Sequence, residues 1–217
     1  MKWRITNLNE RCSFLRQLLA KISSVKSVDN FADDLEQTLI DSRAQLNRIL
    51  ALLDKPLVLP GPTGESNKLY LEPRGCMVCY ADKDTSFNFW AISIISALAT
   101  GNTVITVVSD TFYDEANVFR DRFIETGVAP GVLQVAKLEQ LQEILGHDHI
   151  AGAVIGSACE RNSFINNQFA NRVGAILPVI TSEHYDSLIN RLVTEKTVSI
   201  DITASGGNTS LMTLDDD

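Results

Sequence analysis

The sequence is short of positive charge and of long apolar runs. Its 217 residues include 19 lysines and arginines against 27 aspartates and glutamates, which gives a formal net charge of −8. An acidic chain repels the phosphate backbone of nucleic acids, so we expect no nucleic-acid partner. Apolar runs such as residues 89–99 are too short to cross a bilayer, and no apolar signal-peptide core follows the first residues. We therefore also expect no membrane contact.

Cysteine is scarce as well, with four residues in the whole chain. This is too few for a disulfide framework at this length, so we expect free thiols and a cytoplasmic location. Cys76 and Cys79 have the spacing of a redox or metal pair, but they lie in an apolar run. Residues three apart in a strand point to opposite faces, so we interpret both as buried, reduced side chains.

Signatures of phosphate binding are absent, since the sequence has neither a P-loop nor a G-x-G-x-x-G run. Asp82, Asp84 and Asp110 follow predicted strands, where their charges would repel a pyrophosphate. The residues alone therefore indicate a nucleotide-type fold without a phosphate site.

Two other groups are weak candidates for chemistry. His147 and His149 could hold a metal ion, but no third ligand is near in sequence, so a solvated loop is the preferred interpretation. Cys159 could be a thiolate at a helix N-terminus, but no histidine is placed to act as its base. We therefore expect no catalytic, cofactor-binding or metal-binding residue in this chain.

What the sequence does contain is a repeated alternation of apolar strands and amphipathic helices. The predicted strands are residues 68–71, 75–81, 103–108, 131–135, 150–155 and 174–180, and the predicted helices are 86–100, 111–126, 138–145, 161–172 and 182–192. This order predicts an α/β fold with a Rossmann-like, doubly wound, mostly parallel sheet. Ligands of such sheets bind at the carboxyl ends of the strands.

The two ends of the chain have a different pattern. Helical periodicity at 9–23 and 31–53 predicts N-terminal helices, and prolines and glycines then end them. We therefore divide the chain into a helical segment, 1–56, an α/β part, 57–192, and a C-terminal β-flap or arm, 193–217.

The arm begins with the pattern of a half-buried strand. Apolar and polar residues alternate over 197–202, with Val198, Ile200 and Ile202 on one face, and a Gly-Gly-Asn run at 206–208 then turns the chain. Such an arm cannot bury much apolar area alone, so it must lie on the chain's own body, on a sister subunit or on another domain. An edge hairpin of the chain's own sheet stays open as the simplest alternative.

Several motifs resemble known enzymes, in the same order along the chain. Residues 97–104, 127–134 and 150–157 resemble segments of the dinucleotide-binding half of aldehyde dehydrogenases. The run Leu-Pro-Gly-Pro-Thr-Gly-Glu-Ser-Asn at 59–67, together with 206–212, resembles the C-terminal domain of long proline utilization A (PutA) proteins. These proteins fuse proline dehydrogenase to glutamate-semialdehyde dehydrogenase. The resemblance covers all of the chain except its opening helices.

The chain departs from this family where the family holds its cofactor. Residues 109–112 (Ser-Asp-Thr-Phe) stand where aldehyde dehydrogenases have a Lys-Pro-x-Glu run for the adenosine ribose. Residues 156–161 replace their Gly-Ser-Thr-x-x-Gly run, and Arg161 would crowd a pyrophosphate. The catalytic domain with its nucleophilic cysteine is missing. The resemblance thus implies a non-catalytic copy of a cofactor domain, with FAD and NAD bound by other domains of the parent enzyme.

In PutA proteins such a domain follows the true dehydrogenase, and its last motif covers that enzyme and closes the path of the intermediate. The resemblance therefore implies that the partner is the dehydrogenase domain of the parent polypeptide, with a homo-oligomer through the arm as an alternative. The expected interface residues are Thr203, Gly206, Gly207, Asn208, Thr209, Ser210 and Leu211. Two other functions stay open, namely a residual NAD(P)-binding domain of an oxidoreductase and a free-standing assembly protein.

Overall fold

The computed structural model describes residues 3–24, 32–157, 159–181 and 184–201. The helices are α1 (Leu8–Ser23), α2 (Ala32–Leu53), α3 (Phe87–Ala99), α4 (Asp110–Ile124), α5 (Leu141–Gly146), α6 (Asn162–Ala170) and α7 (Tyr185–Arg191). The strands are β1 (Leu57–Leu59), β2 (Glu65–Pro73), β3 (Cys76–Ala81), β4 (Thr103–Val108), β5 (Leu133–Lys137), β6 (Ile150–Val154), β7 (Val179–Ile180) and β8 (Val193–Asp201).

The chain divides into two compact units. The larger unit takes in the N-terminal helices and the α/β part from Glu72 to Thr194. The smaller unit is built from Lys55–Leu71 and the described residues from Glu195 onward. Each unit has its own sheet, one of five strands and one of three.

The five-stranded sheet of the larger unit is parallel throughout, with the order β5-β4-β3-β6-β7. The chain starts at the central strand β3, moves outward through β4 and β5, and then crosses back to add β6 and β7 on the other side. This confirms the predicted Rossmann-like, doubly wound fold. The strand order reverses between β3 and β6, and this reversal places a crevice at their carboxyl ends.

Alternate residues of β3 face opposite sides of the sheet, and each side has its own apolar core. Met77 and Cys79 belong to the core shared with α1 to α4 and α7. Val78 and Tyr80 belong to the core beneath α5 and α6. Cys79 is buried, as predicted, but Cys76 is only half-buried at the strand's start, so the prediction was wrong for that residue.

The N-terminal helices pack into the larger unit through an apolar stripe and two polar anchors. Leu46 and Ile49 on α2 are fully buried in the apolar core. The indole Nε1 of Trp3 donates to the carbonyl of Leu98 at 3.0 Å. The buried guanidinium of Arg11 donates through Nε to the carbonyl of Ala99 at 2.9 Å, at the C-terminal end of α3. A cation is favourable there because of the helix dipole.

The smaller unit contains more strand than predicted. β1 was not predicted, and β2 runs from Glu65 to Pro73 rather than over 68–71. β1 and β2 are antiparallel, with Leu57 opposite Leu69, and β8 lies on the other side of β2. β8 begins at Val193 instead of residue 197.

Two other strand predictions are corrected. The predicted strand 174–180 is reduced to Val179–Ile180, because Pro178 lacks a backbone donor and Gly174 has φ +116°. The apolar face of β8 was expected to be half-buried, but Ile200 is 52% exposed and only Val198 is partly covered. The described part of the chain thus leaves this face open to solvent.

Ile202 and all seven expected interface residues, Thr203 and 206–211, lie outside the described residues. Within the described ranges, every helix is too short or too polar to pass through a bilayer.

Candidate functional site

A cleft opens at the carboxyl ends of β3 and β6, where the strand order of the sheet reverses. Its volume is about 280 Å³, the size of a small-molecule site. The residues that line it are Asp82, Asp84, Thr85, Ser86, Phe89, Gly156, Ser157, Cys159 and Tyr185. The cleft is therefore formed mainly by the loops that follow the two strands, at the place where open α/β sheets bind their ligands.

The loop after β3 is held by its own hydrogen bonds. The hydroxyl of Thr85 donates to Asp82 Oδ1 at 2.8 Å, and the backbone N–H of Asp84 reaches the same oxygen at 3.2 Å. The backbone N–H of Asp82 in turn donates to Thr85 Oγ1 at 3.1 Å. This wall of the cleft is thus preformed, and Asp82 uses part of its carboxylate to shape the turn.

Helix α3 begins directly after this loop, and the chain supplies its own cap for the helix N-terminus. Ser86 Oγ accepts from the N–H of Phe89 at 3.2 Å. The neighbouring carboxylates of Asp82 and Asp84 add negative charge at the same place. An anion is therefore disfavoured at a helix end that would otherwise attract one.

Cys159 lies in the opposite wall and is 9% exposed. Burial, and after it the negative charge of Asp82, raises the pKa of the thiol to about 11, although the backbone N–H of Arg161 acts in the other direction. At neutral pH the group is therefore a thiol and a poor nucleophile. The described histidines, His147, His149 and His184, are not among the residues that line the cleft.

Arg161, which the sequence analysis expected to crowd a pyrophosphate, is not one of the residues that line the cleft. It lines a different surface hollow with Leu138 and Phe164 rather than the cleft. Its side chain hydrogen-bonds Tyr80, yet burial, together with the charges of Cys159 and Asp82, still raises the pKa of Tyr80 to about 12. Arg161 therefore holds a hydrogen bond to the buried Tyr80 beside the cleft.

Side chains of this protein contact one another at the carboxyl end of β4. The hydroxyls of Ser109 and Thr111 lie 2.7 Å apart. Lys137, at the end of β5, places Nζ 3.8 Å from Asp110 Oδ1 and 4.8 Å from the centre of the Tyr113 ring. Asp110 is therefore near a lysine and is not one of the cleft residues, in contrast to Asp82 and Asp84.

The histidine pair forms a surface turn. The rings of His147 and His149 lie 5.2 Å apart, and the backbone N–H of His149 donates to His147 Nδ1 at 3.3 Å. Among the residues that the structure describes, no group of three or more histidine, cysteine or carboxylate side chains is arranged to hold a metal ion. The arrangement agrees with the predicted solvated loop.

Sequence reasoning found the two strand-end loops but missed Tyr185. This residue lies at the start of α7, more than twenty residues after the loop that follows β6, and no local motif marks it. Tertiary packing of α7 against α2 and α3 brings it to the cleft, where burial and the charge of Asp41 raise the pKa of its hydroxyl.

Comparison with curated proteins finds two relatives named "Bifunctional protein PutA". The protein from Salmonella typhimurium is 30% identical over 161 residues, and the one from Escherichia coli K12 is 28% identical over 159 residues. Each match covers 72% of this chain and 11% of the relative. The chain thus matches about a tenth of the length of these relatives. No family model matches the chain.

Solved structures with a similar fold include PutA and aldehyde dehydrogenases. A PutA mutant from Bradyrhizobium japonicum superposes with a TM-score of 0.71 at 24% identity, over 82% of this chain and 20% of that one. An NAD-dependent benzaldehyde dehydrogenase from Corynebacterium glutamicum gives a TM-score of 0.67 at 15% identity, over 82% of this chain and 41% of that one. The curated relatives show that the chain is PutA-like over most of its length, and the solved structures show that it has the fold shared by PutA and aldehyde dehydrogenases.

Proposed function

We propose that this chain is a non-catalytic domain of a bifunctional PutA protein, where it covers the dehydrogenase domain and supports substrate channelling or assembly. The parent protein would convert proline to glutamate, with FAD and NAD bound by its other domains. The partner would be the dehydrogenase domain of the same polypeptide, and a second copy of the chain is the alternative.

The observation that carries this proposal is the exposed apolar surface of the sheet β1-β2-β8. Val58 is 80% exposed, Leu57 is 53% exposed, and Tyr70 and Ile200 are also open to solvent. Leu57 and Val58 are adjacent in β1, so apolar side chains project from both faces of the sheet. A three-stranded sheet needs a covered apolar face to be stable, and the described residues of the smaller unit provide little cover.

A protein surface is the kind of partner that suits this sheet. Contiguous exposed apolar side chains mark interaction sites on soluble domains, and the cost of exposing them is recovered when a partner excludes water. The curated relatives are about nine times longer than the segment they share with this chain, which supports a partner within the same polypeptide.

The chemistry of the cleft supports a non-catalytic role. Its cysteine has a raised pKa, and burial likewise raises the pKa of Cys76 and Cys79. An aldehyde dehydrogenase needs a reactive thiolate and a bound nicotinamide cofactor. Neither the protonated thiol nor the acidic wall of Asp82 and Asp84 is suited to these tasks.

The proposal is tested by binding of the 217-residue chain to the separately expressed dehydrogenase domain of the parent protein. We expect a specific complex that is lost when Val58→Lys places a charge on the exposed sheet. Val173→Lys is the matched control, because Val173 is a fully exposed apolar residue in the larger unit. The proposal is wrong if the complex does not form, or if both variants bind as well as the original chain. If the genomic reading frame encodes no dehydrogenase upstream of this segment, a free-standing assembly protein would instead be favoured.

One alternative has an observation in its favour. The cleft lies at the strand-order reversal, where Rossmann-like sheets bind dinucleotides, so a residual NAD(P)-binding domain is the second candidate. Calorimetry with NAD and with NADP separates the two functions. Micromolar affinity for either nucleotide would favour the alternative, and our proposal predicts no binding in that range.

A further inference from the structure

We infer that Asn102 is a positioning residue that fixes the pairing of β2 with β8 and thereby sets the shape of the exposed sheet. Asn102 lies in the turn between α3 and β4, outside that sheet, and is completely buried. The inference depends on the proposed function in one respect only, namely that the sheet serves as an interface.

The side-chain amide of Asn102 connects the end of β2 to the start of β8. Its Oδ1 accepts from the backbone N–H of Gly75, two residues after β2, at 2.9 Å. Its Nδ2 donates to the carbonyl of Leu192, the residue directly before β8, also at 2.9 Å. One planar amide thus holds both chain segments at a fixed separation.

The amide is itself held in one orientation. Nδ2 also donates to Thr100 Oγ1 at 2.9 Å, and the hydroxyl of Thr100 donates to the carbonyl of Ser96 at 2.8 Å in the last turn of α3. Both amide donors are therefore used, and the rigid end of α3 fixes the direction of the bond to Leu192. A buried amide with its donors satisfied specifies geometry more strongly than an apolar contact of the same area.

Two further hydrogen bonds join the same two chain segments. Arg74 Nε donates to the carbonyl of Arg191, and Thr194 Oγ1 donates to the carbonyl of Glu72 at 3.4 Å. Residues 72–75 and 191–194 all belong to the larger unit, where they begin and end its stretch Glu72–Thr194. We call the bonds that Asn102, Arg74 and Thr194 make to these two segments the strand clamp.

The clamp matters because strand register decides which side chains share a face. A shift of one residue between β2 and β8 would move every side chain of β8 to the other face. Ile200 and Val198 would then leave the face on which they now lie. A partner that recognises this surface would lose its contacts although no residue of the surface had changed.

The test is hydrogen exchange of the 217-residue chain with Asn102→Asp, which keeps the acceptor for Gly75 and removes both donors. We expect backbone amides of β2 and β8 to exchange at least about tenfold faster, with those of β4 and β5 unchanged. Asn117→Asp is the matched control, since its Nδ2 donates to the Tyr113 carbonyl at 2.7 Å outside the clamp. This control should accelerate the exchange of backbone amides in α4 alone.

A second readout is affinity for the dehydrogenase domain, which should fall at least about tenfold in Asn102→Asp. If Asn102→Asp does not fold, Arg74→Gln tests the same clamp by removing the bond from Arg74 to the carbonyl of Arg191. Unchanged exchange in β2 and β8 for a folded variant, or equal acceleration throughout the larger unit, would overturn the inference. Faster exchange in β2 and β8 alone would support the clamp. If the original chain also failed to bind the dehydrogenase domain, the proposed function would be rejected while the clamp would stand.

Discussion

Trp90 donates its indole N–H to the hydroxyl of Thr106 at a distance of 2.8 Å, deep between α3 and β4. The same hydroxyl donates to the carbonyl of Cys79 at 3.1 Å, so one threonine connects a helix and two neighbouring strands. Both Trp90 and Thr106 are buried.

Thr106→Val should destabilise the fold, because it leaves the buried indole N–H without an acceptor. We expect a loss of about 1–3 kcal/mol in the free energy of unfolding, measured by urea denaturation. Thr106→Ser keeps the hydroxyl and should lose clearly less. A Thr106→Val variant as stable as the original chain would contradict the contribution of this hydrogen bond.

Arg11→Met should also destabilise the larger unit. The change keeps an apolar stem but removes the guanidinium that donates to the carbonyl of Ala99 at the end of α3. We expect a loss of about 2 kcal/mol in thermal or urea unfolding. Arg43→Met on the exposed face of α2 is the control and should stay within about 0.5 kcal/mol of the original chain.

Stability should decrease at alkaline pH because the fold favours the protonated forms of Cys159 and Tyr80. Their pKa values rise on folding from 9.0 to about 11 and from 10.0 to about 12. A raised pKa gives stability that is complete below the unfolded value and is lost as pH rises through the folded value. We therefore expect the decline between pH 9 and pH 12, and a weaker decline between pH 9 and pH 11 in Cys159→Ala. An identical pH profile for that variant would contradict the assignment.

The isolated chain should show no aldehyde dehydrogenase turnover with NAD or NADP. The reason is the raised pKa of its cleft thiol and the acidic lining beside α3. Spectrophotometric assay of NADH formation with glutamate semialdehyde checks this expectation. Turnover that disappears in Cys159→Ala would show that the cleft is catalytic.

Deletion of residues 204–217 from the parent enzyme should lower the coupled conversion of proline to glutamate more than proline oxidation itself. The reason is that the arm is expected to cover the dehydrogenase, so its loss would open the path of the intermediate. A lag in NADH formation is the measurement. An unchanged coupled reaction without a lag would leave the arm as an edge hairpin only.

The strands that the sequence predicted best are those buried on both faces. β4 was predicted at its observed bounds, and β3 and β6 within one residue, because continuous β-branched and apolar runs bounded by turn residues leave few alternatives. β1 and most of β2 were missed, because exposed strands among prolines and glycines have neither a continuous apolar run nor an alternation of apolar and polar residues. Their pairing is decided by distant segments and not by local pattern.

The residues of the candidate site could likewise be predicted only in part. Asp82, Asp84 and Cys159 could be placed at the cleft because strand ends of a parallel sheet meet at one edge. Tyr185 could not be predicted there, and Arg161, which was expected to crowd a pyrophosphate, lines a different hollow and is not one of the cleft residues. A side chain's direction beyond a strand end depends on loop geometry, which composition and periodicity do not determine.

The smaller unit is assembled from two stretches separated in sequence by the whole of Glu72–Thr194. Pairing of β2 with β8 must therefore wait until the intervening chain has brought its ends together, because closing so long a loop costs entropy that a three-stranded sheet cannot repay alone. The order of folding follows from this: the Rossmann-like core forms first and the sheet last. A newly synthesised chain would thus display the exposed apolar sheet only after its core is complete, so that the proposed partner would select correctly folded copies.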